Sequence, residues 1–354
     1  MAITTSAITS SNTLPLRYNL FALAGAIAVS LSVFILSGFT DENGIPNFFG
    51  AGIFAFALYM VITFIASRSI EGKRKAADRM ITGWVTAAFT LALVPLVSLT
   101  WTVFSNGLNR LDAEFFTNSM RNVLGEGGGA LHAIVGTLEL TTIATLISVP
   151  LGVMTAIYLV EYGRGKLKRA VTFFIDVMTG IPSIVAGLFA FSLFLILFGP
   201  QGAINGMAGA VSLAVLMTPV VTRATEEMLK IVPNELREAS YALGVPKWLT
   251  IVKVVIPTAL AGIATGIIIA IARVIGETAP LLLAAGFTTS MNYNPFEEKM
   301  MTLPVFVYTS YAIQGTDPTA YVDRAWAGAL TLMIIVMVLN LVARIISKIF
   351  SPKF

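Results

Sequence analysis

The chain of 354 residues reads as an all-α integral membrane protein, and three observations carry that reading. Hydrophobic residues make up 56% of the sequence and charged residues 12%, with a mean hydropathy of +0.84. A water-exposed fold of that composition has too little polar surface to cover itself. Apolar runs long enough to cross roughly 30 Å of hydrocarbon at about 1.5 Å per helical residue recur along the chain. Finally, the basic residues fall on alternate inter-run segments, as the positive-inside rule requires of a polytopic protein.

In chain order, residues 1–19 form a Ser/Thr-rich leader, expected to be a flexible cytoplasmic N-terminus. The first apolar run, 20–38, is trailed by Asp41, Glu42, Asn43 and Gly44 rather than by a small-residue cleavage site, so it is read as a span and not as a signal peptide. Further runs lie at 47–66, 81–104, 132–160, 170–198, 204–222, 257–285 and 326–348, which brings the expectation to eight spans. The division that follows is a pair of additional N-terminal spans with a basic loop (20–80), a six-span core (81–348) and a short tail (349–354).

If the first run leaves the cytoplasm, 18 of the 23 Lys and Arg residues lie inside and 4 outside, with Arg273 alone within a span. Both termini and the polar segment 223–257 are then cytoplasmic. The outer loops carry Asp112, Glu114, Glu126, Glu297, Glu298, Asp317 and Asp323.

Several chemistries are excluded. The sequence has no cysteine and one histidine, His132, so neither a disulfide framework nor a thiolate or multi-histidine metal site is available. Gly127-Gly128-Gly129 lacks the preceding strand and following lysine of a phosphate-cradling loop, and is expected to be a flexible linker. No Gly-x-x-x-x-Gly-Lys-Ser/Thr occurs, so ATP hydrolysis would belong to another chain. No basic stripe on a polar domain speaks for nucleic acid. No cofactor is expected.

The segment 223–257 reads as two short helices meeting at a glycine. Pro233 suits a helix start. Leu236, Ala239, Ser240 and Leu243 then recur on one stripe facing a partner, while Glu235, Arg237 and Glu238 point elsewhere. Gly244 ends the first helix in the left-handed conformation, and Pro246 opens the second, which carries Trp248, Ile251 and Val252 towards Pro257. By its residues alone this is either a docking handle or an amphipathic helix pair on the membrane surface.

Arg273 and Glu277 are four apart inside an apolar run, on one face if the helix continues. An intramembrane charge costs several kcal/mol unless it is paired or hydrated. The pair therefore reads either as a structural ion pair or as part of an anion pathway, because a guanidinium offers planar donors to phosphate-like oxygens. Arg223, one residue after Thr222 at a span end, reads as an exit for an anion or as an anchor at lipid headgroups. Glu139 and Asp176 are placed in or near spans without a firm role, and His132 at the outer interface. Pro150, Pro182, Pro219, Pro257 and Pro280, with Gly180, Gly187, Gly262, Gly266 and Gly276, fall among the last six runs, and their density there suggests a bundle that must rearrange.

Four stretches resemble known families. Glu238-Ala239-Ser240, three residues, Gly244 and then Ile256-Pro257 are similar to the EAA loop of ABC importer permeases, with Ser240 in place of the second alanine. Ala272-Arg273-Val274-Ile275-Gly276-Glu277-Thr278-Ala279-Pro280-Leu281 is similar to a signature of phosphate importer permeases, and Gly180–Leu188 and Leu151–Leu159 resemble two further stretches of them. The resemblance spans about 81–348 and fits the A-type subunit better than its C-type partner. It implies a type I ABC importer permease bundle that moves inorganic phosphate inward. The implied partners are a second homologous permease, two ATP-binding subunits, an extracytoplasmic phosphate-binding protein and membrane lipid. The implied ATPase-coupling residues are Glu238, Ala239, Ser240, Gly244 and Pro257, and the substrate pathway holds Arg273, Glu277 and Arg223. The rival readings are an importer permease for another oxyanion or an amino acid, a secondary transporter that works without an ATPase, and a membrane-embedded enzyme.

Overall fold

The computed structural model describes residues 14–15, 17–38, 47–315 and 317–350. Most of the N-terminal leader, the acidic residues Asp41 and Glu42 with Asn43 and Gly44, and the end of the C-terminal tail lie outside the described residues. The described chain is helical without strands, and it divides into two compact units, residues 1–100 and 101–354.

The first unit holds α1 (Arg17–Leu36), α2 (Phe48–Ile70) and most of α3 (Lys73–Gly107). Small residues let α1 and α2 approach closely: Ala26, Ser30, Ala51 and Ala55 are buried, and the Ser30 hydroxyl donates to the Ala51 carbonyl at 2.6 Å. The connection between α2 and α3 is closed by Glu71. Its carboxylate, 2% exposed, receives Arg79 Nε at 2.7 Å and Nη2 at 2.8 Å, the Ser67 hydroxyl at 2.7 Å and the Leu14 backbone N–H at 2.8 Å. Those donors, Arg79 first and Ser67 next, hold the carboxyl down at about 2.

The second unit is built on α5 (Leu131–Ile157) packed along α8 (Gly206–Ile231), with the Ser148 hydroxyl donating to the Ala214 carbonyl at 3.1 Å. Leu140, Ala144, Leu213, Met217 and Val221 form the buried seam between them. Around this pair stand α6 (Gly165–Thr179), α7 (Ser183–Phe198), α11 (Ile256–Val274) and α14 (Pro318–Phe350).

Among the described residues, seven helical segments are long and apolar enough to cross a membrane. The expected span 170–198 is not one of them. It is two helices, α6 and α7, bent by 108° at Gly180 to Pro182. Pro182 has no N–H to donate, sits extended at ψ 137, and excludes Ile181 from helical geometry. Counted as one broken span, the pair raises the total to eight.

The expected span 257–285 also shifts. Helical sequence begins at Lys247 and ends at Val274, and after a break the short α12 (Ala279–Ala284) starts with Pro280 in its first turn. The polar interruption is correspondingly shorter than 223–257, because α8 continues to Ile231.

The segment after α12, expected only as an outer loop, contains a buried helix, α13 (Leu303–Ala312). The Thr137 hydroxyl of α5 accepts the Leu303 N–H at 2.7 Å, and Leu303, Val305 and Phe306 enter the core. His132 is likewise in the core and not interfacial: it is 2% exposed and lies edge-on to Phe306 with centroids 5.7 Å apart.

The triple glycine is a folded loop, which corrects the expectation of a flexible linker. Gly128 donates its N–H to Glu114 Oε1 at 3.0 Å and accepts from Arg110 Nη2 at 3.0 Å. Arg324, 1% exposed at the start of α14, donates from Nη1 to the carbonyls of Gly125 at 2.7 Å and Gly127 at 2.9 Å. Side chains distant in sequence supply these partners, so composition alone cannot reveal them.

Candidate functional site

Two regions of the second unit carry the residues singled out above. The first is a cavity of about 190 Å3 where the two broken spans meet. Thr179 ends α6, Ile181 belongs to the break, Ser183 opens α7, Leu216 and Val220 come from α8, and Arg273 and Glu277 come from the end of α11 and the break after it. Residues at both helix breaks therefore contribute to the cavity wall.

Arg273 and Glu277 share this cavity but do not form the ion pair that an unbroken helix would allow. Regular helix ends at Val274, and Glu277 lies beyond it. Among the described residues no ion pair or side-chain hydrogen bond holds Arg273, and its side chain is exposed. Arg273 stands in the last turn of α11, one residue before regular helix ends, and an unpaired guanidinium beside an apolar span requires water, a ligand or a neighbouring chain. The first turn of α7, which begins in the same wall, adds the positive end of a helix dipole.

Arg223 lies one turn from Val220, between the cavity and the end of α8. It is paired: Nη2 donates to Asp176 on α6, and Nη1 to Glu226 on its own helix. Lys230 closes the other oxygen of Glu226 at 2.8 Å. Asp176, left without a role by sequence, thus bridges α6 to α8. Glu139 is half-buried with no ion pair or side-chain hydrogen bond among the described residues.

The second region is the loop between α8 and α11. Its first helix is α9 (Asn234–Ala242), with Pro233 at the cap, one residue before the expected start. Gly244 has φ +75, and the Gly244 N–H donates to the Tyr241 carbonyl at 2.9 Å and the Val245 N–H to the Ser240 carbonyl at 3.2 Å. These two bonds are a Schellman closure, which needs a residue without Cβ at that point. The helix α10 (Lys247–Thr250) follows and runs through a π-helical turn, Ile251–Val255, into α11, where Pro257 occupies the first turn.

Leu236, Glu238 and Ala239 are exposed on α9, as are Leu243 just after it, to 84%, and Trp248 on α10, to 61%. Ser240 departs from the predicted outward stripe. It is buried, and its hydroxyl is 2.8 Å from that of Thr250, so the residue that replaces alanine ties α9 to α10. Arg237, expected only to point away from that stripe, turns into the protein. Its guanidinium donates to Glu161 Oε1 at 2.9 and 3.1 Å and to the carbonyls of Leu229 at 2.9 Å and Val232 at 2.6 Å, which caps the C-terminal end of α8. The apolar periodicity of 236–243 carried no signal for this cation. Among the described residues no cluster of three or more His, Asp or Glu is placed to hold a metal ion.

Residues 148–354 match the family model of the binding-protein-dependent transport system inner membrane component. The phosphate transport system permease protein PstA 1 of Mycobacterium tuberculosis (strain CDC 1551 / Oshkosh) is 46% identical over 294 residues, covering 82% of this chain and 95% of that protein. The phosphate transport system permease protein PstA of Yersinia pestis is 39% identical over 282 residues, covering 79% and 92%. In fold, the chain is similar to the MetNI methionine ABC transporter in inward-facing conformations (TM-score 0.52, 21% identity, 63% of this chain and 96% of that one). It is also similar to a bacterial alginate ABC transporter in complex with an alginate pentasaccharide-bound periplasmic protein (TM-score 0.58, 13% identity, 78% and 96%).

Proposed function

The chain belongs to the family of binding-protein-dependent transport system inner membrane components, and we propose that it is the PstA-type permease subunit of an ATP-driven importer of inorganic phosphate. The observation that carries the substrate is Arg273: a guanidinium without a carboxylate partner, lining a cavity into which a helix start also opens. Both features favour a tetrahedral anion. The phosphate named for the relatives has that charge and shape.

In this reading the anion enters from the outer side, is held at Arg273 with Glu277, Thr179 and Ser183 around it, and leaves past Arg223, where Asp176 is the resident counter-ion. The chain supplies no nucleotide site. The exposed face of α9 and α10, with Glu238, Ala239 and the Gly244 turn, docks to an ATP-binding subunit on the cytoplasmic side. A second homologous permease completes the pathway, two ATP-binding subunits drive it, and an extracytoplasmic phosphate-binding protein delivers the anion. Both termini are cytoplasmic, consistent with the distribution of Lys and Arg. ATP-driven closure then moves the loop and the spans attached to it, alternating the access of the cavity.

The test is phosphate uptake in cells lacking the permease, with and without this chain together with its partner subunits. Uptake that needs this chain and an ATPase competent in hydrolysis supports the reading. Uptake driven by an ion gradient in vesicles holding this chain alone would establish a secondary transporter instead. Competition by other oxyanions at equal concentration would move the substrate away from phosphate.

A further inference from the structure

Glu161 sits at the end of α5, in a π-helical turn, Tyr158–Tyr162, that mirrors the one at the start of α11. Its side chain is 6% exposed and its ion-pair partner Arg237 is 12% exposed. One carboxylate oxygen, Oε1, receives both Nε and Nη2 of Arg237. Its backbone carbonyl receives Nζ of Lys247, which also lies 4.9 Å from the centroid of the Tyr162 ring.

Among the described residues, the hydrogen bonds and ion pairs joining residues 234–250 to the earlier helices all come from Arg237 and Lys247. They end on Glu161 and on the last carbonyls of α8. The loop is therefore attached covalently to α8 and α11, and polar contacts tie it to α5 through one residue. A buried carboxylate held by a guanidinium resists separation strongly, because removing one partner leaves an uncompensated charge. The π-helical turns at the α5 and α11 attachments are sites where a helix shifts its hydrogen-bond register.

We propose that Glu161 is a positioning residue for transport: it transmits displacement of α9 and α10 to α5, so that α5 moves with α8 and α11 when the loop is driven. The proposal rests on the importer reading, since it requires an ATPase acting on the loop.

The test uses the assembled importer with wild type, Glu161→Gln and Glu161→Asp. Three quantities are measured: association of the ATP-binding subunit, ATP hydrolysis with and without phosphate-loaded binding protein, and phosphate taken up per ATP hydrolysed. Glu161→Gln is expected to associate and hydrolyse ATP basally as wild type does. Its phosphate per ATP is expected to fall about tenfold, within the usual range of allosteric coupling, and Glu161→Asp, which keeps the charge, to recover part of the loss. A wild-type ratio of phosphate to ATP in Glu161→Gln would overturn the proposal. So would loss of ATPase association, which would make Glu161 a brace for folding. If wild type itself takes up no phosphate, the importer reading fails instead, and the two failures are distinguishable.

Discussion

Gly187 lies directly against Pro280: a Cβ built at Gly187 would meet Pro280 Cα at 2.6 Å and its carbonyl oxygen at 2.9 Å. The contact brings together α7 and the start of α12, the helices that follow the two breaks bordering the cavity. A backbone atom cannot yield as a flexible side chain does. Gly187→Ala should therefore lower stability by about 1–3 kcal/mol through overpacking. Thermal unfolding of the purified permease checks this, and an unchanged midpoint would show that the two helices separate freely.

Arg273→Ala should abolish phosphate uptake while leaving assembly with the ATP-binding subunit intact, because the guanidinium faces the cavity and braces no neighbouring side chain. Arg273→Lys should retain part of the rate, since an ammonium keeps the charge without the planar fork. Uptake of labelled phosphate, alongside co-purification of the complex, separates the two effects. Unimpaired uptake in the alanine variant would remove Arg273 from the pathway.

Gly244→Val should weaken association with the ATP-binding subunit. A left-handed conformation costs roughly 1–2 kcal/mol for a residue with a Cβ, and a β-branched one is disfavoured further, so the Schellman closure that sets α9 against α10 would loosen. A pull-down at graded ATPase concentration measures the shift. An unaltered binding curve would count against docking through this turn.

The Glu71 clamp should make the N-terminal helices sensitive to acid. Its carboxyl is held at about 2 in the folded chain against 4.5 for the free group. The stabilisation is therefore complete above pH 4.5 and is lost as pH falls from there towards 2. Wild type and Glu71→Gln compared by thermal unfolding should differ most at neutral pH and converge as the pH falls towards 2. A gap independent of pH would mean that the charge of Glu71 is not what holds the turn.

Much of this was legible in the residues themselves. Hydropathy located most of the spans, since a run that must face lipid is apolar along its whole length, but it missed the bend within 170–198 and the shifted bounds of 257–285. Local backbone chemistry located Gly244, because only its own conformation is at issue there, and Pro182 and Pro280 were marked as interruptions. The cation Arg273 stood out because charge is rare at such depth.

By itself, then, the sequence determined a helical membrane bundle, the turn at Gly244 and the family to which they belong, all properties set by neighbours within a few residues. Only the tertiary structure decided that 170–198 bends into two helices, that Arg273 and Glu277 share a cavity without pairing, that Arg324 organises the triple glycine, and that Arg237 turns inward to Glu161. Ion pairs such as Arg237 with Glu161 join residues 76 positions apart. A charged side chain chooses its partner by proximity in space, and no periodicity along the chain records that choice.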